Sequence, residues 1–313
     1  MKIWENISKF NAKNPVVTIG SFDGVHVGHQ QVIAQLNAIA KKNKGESVIF
    51  TFSPHPVKVL HPDKEFVLLT TIDEKLELFA KNGVDHVVLF PFTKEFSQKT
   101  YADFVKEVLI EKLHIKTLLV GYDNTIGKNR EGNLGELLKL SNSLNFKIAQ
   151  QKEVRLNDDS LSSTQIRTLL SNGKLLSASK LLGYHYILSG TVVHGQQIGN
   201  KLGFPTANLL PAENKFIPGN GVYAILVETN GTSHKGMMNI GIRPTIENYA
   251  NKAVIEAHLF DFSGNLYGKF IKISVIRKLR DEHKFNSIDA LRAQLKKDKI
   301  FALETLHKEF GID

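Results

Sequence analysis

The feature that most narrows the fold is a change of hydrophobic rhythm near residue 184. Before it, apolar runs of strand length (Val16 to Ile19, Val48 to Phe52, Val87 to Phe90, Leu118 to Val120) alternate with helical stretches such as Gln30 to Lys42 and Tyr101 to Leu113. Strand and helix taking turns predict an α/β layer, a doubly wound parallel sheet with helices on both faces. Ser163 to Gly183 predicts two short helices broken at Asn172-Gly173. After Tyr184 the runs are short and β-rich: Tyr186 to Val193, Val222 to Glu228, Ala253 to Phe260 and Phe270 to Ile276, separated by Gly, Asn, Pro and Ser. That pattern predicts a small closed antiparallel β-barrel. Amphipathic helix over Ser287 to Lys297 and Ile300 to Phe310 would pack on it. Two domains are therefore expected, 1–184 and 185–313, and 313 residues suffice for two cores.

Composition removes several chemistries. With no cysteine, disulfides, thiolate nucleophiles and cysteine-ligated metal sites are excluded. No run approaches the roughly 20 apolar residues of a membrane span, and M-K-I-W-E-N lacks the layout of a signal peptide. A cytoplasmic chain with no membrane partner is expected. The formal charge of +9 divides into +5 for 1–184 and +4 for 185–313, so it is spread rather than clustered. Without a basic arm or aromatic-interleaved stripe, the expectation is phosphate-bearing small molecules and no nucleic acid. Nothing in the sequence reports the oligomeric state.

The first chemical stretch is G-S-F-D-G-V-H-V-G-H, Gly20 to His29, between the first strand run and the first helix. Gly20, Gly24 and Gly28 let backbone approach a bulky ligand, and the helix start presents unpaired N–H groups and a positive dipole. His26 and His29 add donors at the same spot. Converging donors suit in-line displacement at a nucleotide α-phosphate, where charge develops without a covalent enzyme intermediate. Two histidines beside a glycine turn can also simply cap a helix; the order strand, turn, histidines, helix favours the phosphate reading. A zinc pair lacks further ligands nearby. Ser162 to Arg167, S-S-T-Q-I-R, opens another helix, where a hydroxyl is an N-cap or, with Arg167 one turn in, part of a phosphate clamp. The glycine-rich loop Val120 to Gly132 reads equally as a flexible turn or a ligand loop.

Together these elements resemble the nucleotidyltransferase half of bacterial bifunctional riboflavin kinase/FAD synthetases, as do F-T-F-S-P-H-P, Phe50 to Pro56, and G-V-D-H-V-V-L-F-P-F, Gly83 to Phe92. The resemblance implies that His26 and His29 stabilise the reacting phosphate, with Gly20, Phe22, Asp23, Gly24, Gly28, Asp123 and Asn124 around the nucleotide. It further implies that Ser163, Thr164 and Arg167 hold the phosphate tail and that His55 and Pro56 lie near FMN. The family usually has D-F-x-F-G after the fourth strand run, whereas Asp123 is followed here by Asn124, Thr125 and Ile126.

The second half carries G-N-K-L-G-F-P-T-A-N-L, Gly199 to Leu209. Thr206 and Asn208 alternate on extended chain, so both oxygens can face one Mg²⁺–ATP complex; P-T-A-N by itself is equally a turn followed by a strand. The stretch resembles the riboflavin kinase signature, which implies ATP and Mg²⁺ binding by Gly199, Lys201, Gly203, Pro205, Thr206 and Asn208, with Thr206 and Asn208 at the metal. Asn200 stands where the family commonly has Arg. N-I-G-I-R-P-T, Asn239 to Thr245, and V-I-E-A-H-L-F-D-F, Val254 to Phe262, extend the likeness and imply that Glu256 is the base for the ribityl 5′-hydroxyl. K-L-R-D-E-H-K-F, Lys278 to Phe285, resembles the flavin-flanking loop, with Arg280 as the contact.

The implied activity is phosphorylation of riboflavin to FMN followed by adenylyl transfer to FMN, giving FAD, with ATP as co-substrate and Mg²⁺ as cofactor. Two other classes compete: a single-activity adenylyltransferase of another His-x-Gly-His type, which leaves the second half unexplained, and a non-catalytic flavin- or RNA-binding relative. The altered loop replaces two aromatic contacts while both histidines remain, so it should cost nucleotide affinity more than turnover. Restoring Phe at Asn124 and Ile126 is expected to lower the KM for ATP and leave kcat within about threefold; a changed kcat at constant KM contradicts this.

Overall fold

The computed structural model describes residues 1–121, 127–128, 131–151, 161–195, 199, 202–242 and 253–311. They form two compact units: 1–67 with 72–161, and 68–71 with 162–313.

The first unit is a six-stranded parallel sheet in the order β1-β4-β3-β2-β5-β6. Its strands are β1 (Lys2–Trp4), β2 (Val16–Ile19), β3 (Ser47–Phe52), β4 (His86–Phe90), β5 (Thr117–Val120) and β6 (Lys147–Gln150). The inner strands are continuous apolar runs because both of their faces are covered, whereas edge strands β1 and β6 are largely exposed and carried no such run. The connecting helices are α1 (Val27–Lys42), α2 (Pro56–Leu60), α3 (Ile72–Lys81), α4 (Lys94–Ser97), α5 (Tyr101–Asp103) and α6 (Leu134–Leu144). The stretch expected as helix from Tyr101 continues past α5 as a π-helical turn over Phe104–Ile110. From β2 the chain builds outward to β3 and β4 on one side, while β5 and β6 lie on the other. Strand order therefore reverses at β2, and in such sheets ligands lodge beyond the carboxyl ends of the strands at the switch point.

The second unit holds a closed antiparallel barrel in the order β10-β11-β8-β7-β12-β9. Its strands are β7 (Tyr186–Val193), β8 (Ala207–Pro211), β9 (Gly221–Thr229), β10 (Thr232–Ile242), β11 (Ala253–Leu259) and β12 (Phe270–Arg280). Helices α7 (Ser163–Ser171) and α8 (Leu175–Leu182) break where expected. The terminal helix α9 (Ile288–Phe310) is one continuous element rather than two stretches. Its charged middle is held because Asp298, buried at 3% exposure, takes both Nε and Nη2 of Arg280 at 2.8–3.1 Å. Ala302 and Leu306 of α9 close a core against Phe204, Ala224, Met237, Phe260 and Ile276 on the outside of the barrel.

Helices α7 and α8 bury Ile166, Leu170, Leu175, Ala178 and Leu182 in the same cluster as barrel residues Tyr186, Tyr223, Ile225 and Ile273. Leu69 is fully buried in that cluster too, held by a bridge in which the Leu68 amide donates to Asn214 O at 2.6 Å and the Phe216 amide donates to Leu68 O at 2.8 Å. Each large apolar side chain contributes about 1.5–3 kcal/mol when buried, so stripping four from one domain approaches its whole stability of about 5–15 kcal/mol. A fragment of 185–313 is therefore expected to aggregate or melt without cooperativity, and a fragment of 162–313 to melt as a folded unit. Calorimetry of both checks this, and equal melting behaviour contradicts it.

Candidate functional sites

At the switch point the chain turns from β2 into α1 through a compressed loop. Phe22, Gly24 and Val25 all have left-handed backbone, with φ of 50°, 81° and 36°. For a β-branched residue such as Val25 this is strained, of order 1–3 kcal/mol, and strain of that kind collects at functional sites. Phe22 is buried, its ring tilted on His29 at 5.1 Å and edge-on to Phe79 at 5.6 Å. A Cβ on Gly20 would lie 3.0 Å from that ring. Asp23 is 4% exposed.

His26 is the N-cap of α1: the His29 amide donates to its Nδ1 at 3.3 Å. A neutral imidazole that accepts at Nδ1 carries its proton on Nε2, so the cap fixes which nitrogen donates. The rings of His26 and His29 stack at 3.6 Å with 13° between planes. Gly28 makes room for the stack, since a Cβ there would meet the His26 ring at 3.3 Å and Leu161 at 3.1 Å. Burial pushes the His26 imidazolium down to about 4. His29 is lowered well below 6.5, by burial first and then by the positive charges of His26 and Lys75. Its Nδ1 is sealed from solvent and has no hydrogen-bond partner among the described residues. The result is a pair of neutral, pre-placed rings at a helix N-terminus, chemistry suited to donating to an anion.

His55 caps α2 in the same manner, its Nδ1 accepting from the Val57 amide at 3.2 Å, and its ring stacks on Phe66 at 4.6 Å; Pro56 is the first residue of that helix. Asp123 and Asn124 lie outside the described residues. Ser163, Thr164 and Arg167 occupy the start of α7, where the capping hydroxyl is Ser162, accepting from the Gln165 amide at 3.2 Å.

In the barrel unit the strand register does the assembling. Glu256 of β11 pairs with Asn208 of β8 on one side and Asn239 of β10 on the other, which puts three polar side chains in a row on one face. Glu256, Asn239 and Thr206 line a cavity of about 300 Å³ that also takes in Arg280 and Glu282, walled by Leu291 and Leu295 of α9. Val254, Glu256 and His258 alternate along β11 and so share a strand face, and His258 Nδ1–H donates to Pro205 O at 2.7 Å, anchoring the start of the P-T-A-N segment. Gly199 also lines the cavity; a Cβ there would strike Phe204 O at 2.2 Å. Gly203 adopts φ of 79° in open space, and Lys201 lies outside the described residues. The Arg280 guanidinium is committed to Asp298, with Nη1 donating to Asp281 O, so it reaches the cavity already oriented. Thr206 and Asn208 offer hydroxyl and amide oxygens, the hard donors that suit Mg²⁺ when phosphate oxygens complete the shell.

Sequence reasoning passed over Asn239, His258 and Asp298, whose importance depends on pairing across strands or to the terminal helix. It also passed over Lys75, a lysine in the first turn of α3 whose 2% exposure is invisible in the sequence.

Comparison with known proteins covers both halves of the chain. Residues 8–165 match the family described as FAD synthetase and 182–306 the family described as riboflavin kinase. A Listeria monocytogenes bifunctional riboflavin kinase/FMN adenylyltransferase is 38% identical over 288 residues, covering 91% of this chain and 90% of that protein. The Escherichia coli protein of the same description is 36% identical over 302 residues, covering 96% and 95%. A solved structure described as a macrolide-efflux protein from Streptococcus pneumoniae matches with a TM-score of 0.86 at 29% identity, covering 96% of this chain and 97% of that one. Among the described residues of this chain, no helix is long and apolar enough to cross a membrane.

The depressed His26 has a consequence for folding. An unfolded histidine takes its proton near pH 6.5, the folded one only near 4, so this contribution is whole above 6.5 and is lost as pH falls toward 4, by about 3 kcal/mol in all. His26→Asn keeps a capping side chain without the titration. Urea unfolding at pH 7.5 and 4.5 should show the wild type losing about 2.5 kcal/mol more than the variant; equal losses contradict the buried neutral ring.

Proposed function

Because the chain belongs to the bifunctional riboflavin kinase/FMN adenylyltransferase family, we propose that its two reactions are divided along the sequence, adenylyl transfer to 1–184 and riboflavin phosphorylation to 185–313. The protein phosphorylates riboflavin with ATP, giving FMN and ADP, and joins FMN to the adenylyl group of a second ATP, giving FAD and pyrophosphate. One observation supports a division between the halves: the stacked histidines belong to the first compact unit and the paired Glu256 and Asn208 to the second, with 162–184 packed in the second.

For adenylyl transfer, an oxygen of the FMN phosphate attacks the α-phosphorus of ATP in line with the departing pyrophosphate. The FMN oxygen is already ionised, so no base is needed. His26 and His29 donate to the α-phosphate oxygens as charge shifts onto them, and the amides at the start of α1 add to that field. Gly20, Phe22, Asp23, Gly24 and Gly28 shape the nucleotide end with Asp123 and Asn124, while Ser163, Thr164 and Arg167 hold the phosphate tail as the family pattern implies. His55 and Pro56 lie toward FMN.

For phosphorylation, Glu256 removes the proton of the ribityl 5′-hydroxyl, and that oxygen attacks the γ-phosphorus while ADP leaves. Gly199, Lys201, Gly203 and Pro205 follow the phosphates, and Arg280 faces the flavin. Thr206 and Asn208 would hold Mg²⁺ together with ATP, and the ion would neutralise phosphate charge there. The proposal extends to a cytoplasmic setting and to small-molecule partners without nucleic acid, a reading that the evenly spread charge supports.

Glu256→Gln keeps size and most hydrogen bonding while removing the base, so FMN formation should fall about 10²- to 10⁴-fold with FAD formation from added FMN intact. His29→Ala should cut FAD formation about 10²- to 10³-fold with riboflavin phosphorylation intact. Flavin chromatography of both variants decides. Loss of both reactions in either variant, at an unchanged melting temperature, contradicts the division.

A further inference from the structure

Lys75 stands in the first turn of α3 with only 2% of its surface exposed, and its Nζ donates to the Ser21 carbonyl at 2.7 Å. Thr51 Oγ1 of β3 reaches the same carbonyl at 3.5 Å. Ser21 immediately precedes Phe22, where the left-handed stretch of the histidine turn begins. One helical turn further on, Phe79 meets the Phe22 ring, and that ring lies on His29. Helix α3 therefore supports the turn at two points, by an ammonium on the backbone and by an aromatic contact beneath the histidine.

A buried ammonium is costly unless its charge has a use, and an apolar side chain of similar length would fill this space without that cost. Charges of both signs surround it. Asp23 of the turn favours the ammonium, while burial opposes it more strongly and brings Lys75 down to about 8. His29 faces it from α1, Glu74 is its buried neighbour on α3, and Thr51 of β3 shares the Ser21 carbonyl with it. At neutral pH the group still carries its charge.

We propose that Lys75 is a positioning residue for adenylyl transfer, a buried cation that pins the Ser21 carbonyl, sits beside Asp23, and so fixes the place of the stacked histidines at the head of α1. It has two separable effects. As a latch it keeps the left-handed turn closed, which sets the height of the His29 ring over Phe22. As a charge it opposes protonation of His29 and presents fixed positive potential at the end of the sheet where, on the reading above, the α-phosphate reacts. The proposal rests on that reading of the histidine pair.

The test uses the full-length protein with Lys75→Met, which removes latch and charge, and Lys75→Gln, which keeps a donor for the Ser21 carbonyl and removes only the charge. Three quantities are read: kcat and KM for FAD formation from FMN, riboflavin phosphorylation in the same sample, and the His29 imidazole titration by NMR. Lys75→Met is expected to lower kcat for FAD formation by about 10- to 100-fold with KM for FMN changed by less than about threefold, and Lys75→Gln to lower it less. In both variants the His29 titration should move up, because a charge that opposes its protonation is gone, and riboflavin phosphorylation should be unchanged. An unmoved His29 titration in both variants overturns the proposal, as does a fall in FAD formation matched by an equal fall in phosphorylation. If the wild type forms no FAD from FMN and ATP, the reading of the histidine pair fails first, and the kinetic claim for Lys75 falls with it. A His29 titration that moves while kcat stays within threefold overturns the positioning role directly.

Discussion

The first unit depends on one constraint: the chain must leave a buried central strand and enter a helix within seven residues, 20 to 26, at the point where strand order reverses. Three of those residues take left-handed conformations, two of them bearing side chains. The passage holds because the surroundings fix it from several directions: Phe22 wedged between His29 and Phe79, Asp23 buried, and the Ser21 carbonyl occupied by Lys75 and Thr51. His26 then serves as both cap and donor. Capping and phosphate binding were rival readings of the sequence, yet the cap is what sets the tautomer and directs Nε2–H outward from the helix start. Burial that keeps both rings neutral follows from the same tight turn.

In the barrel unit, closure replaces the switch point as the organising constraint. Closing six strands fixes their register, and register brings Asn239, Glu256 and Asn208 into one row although 17 residues separate the first two and 48 the last two. The terminal helix completes the cavity wall with Leu291 and Leu295 and uses Asp298 to hold Arg280. Folding of the tail and orientation of a candidate flavin contact are therefore one event.

What was legible in the sequence divides by physical cause. Inner strands of the parallel sheet were found nearly to the residue, because two covered faces force unbroken apolar runs such as Val16 to Ile19. Edge strand β6 and barrel strand β10, which opens Thr-Ser-His-Lys-Gly, carry no such run and were passed over. The charged Lys297-Asp298-Lys299 stretch read as an interruption of the terminal helix because the partner of Asp298, Arg280, lies 18 residues away on a strand. Glycine-histidine and P-T-A-N segments were legible as sites because local chain order alone sets their geometry. Lys75 and His258 were not, since only tertiary structure brings one to the Ser21 carbonyl and the other to the Pro205 carbonyl.

The central claim is that one chain breaks two different bonds of ATP at two different sites, and ATP analogues blocked at one bond test it most directly. With α,β-methylene-ATP, riboflavin should be converted to FMN and the reaction should stop there, because the γ-phosphate can leave and the adenylyl group cannot. With β,γ-methylene-ATP, added FMN should be converted to FAD while riboflavin stays unphosphorylated. FAD formed from FMN with the α,β-blocked analogue, or FMN formed from riboflavin with the β,γ-blocked one, would contradict the account.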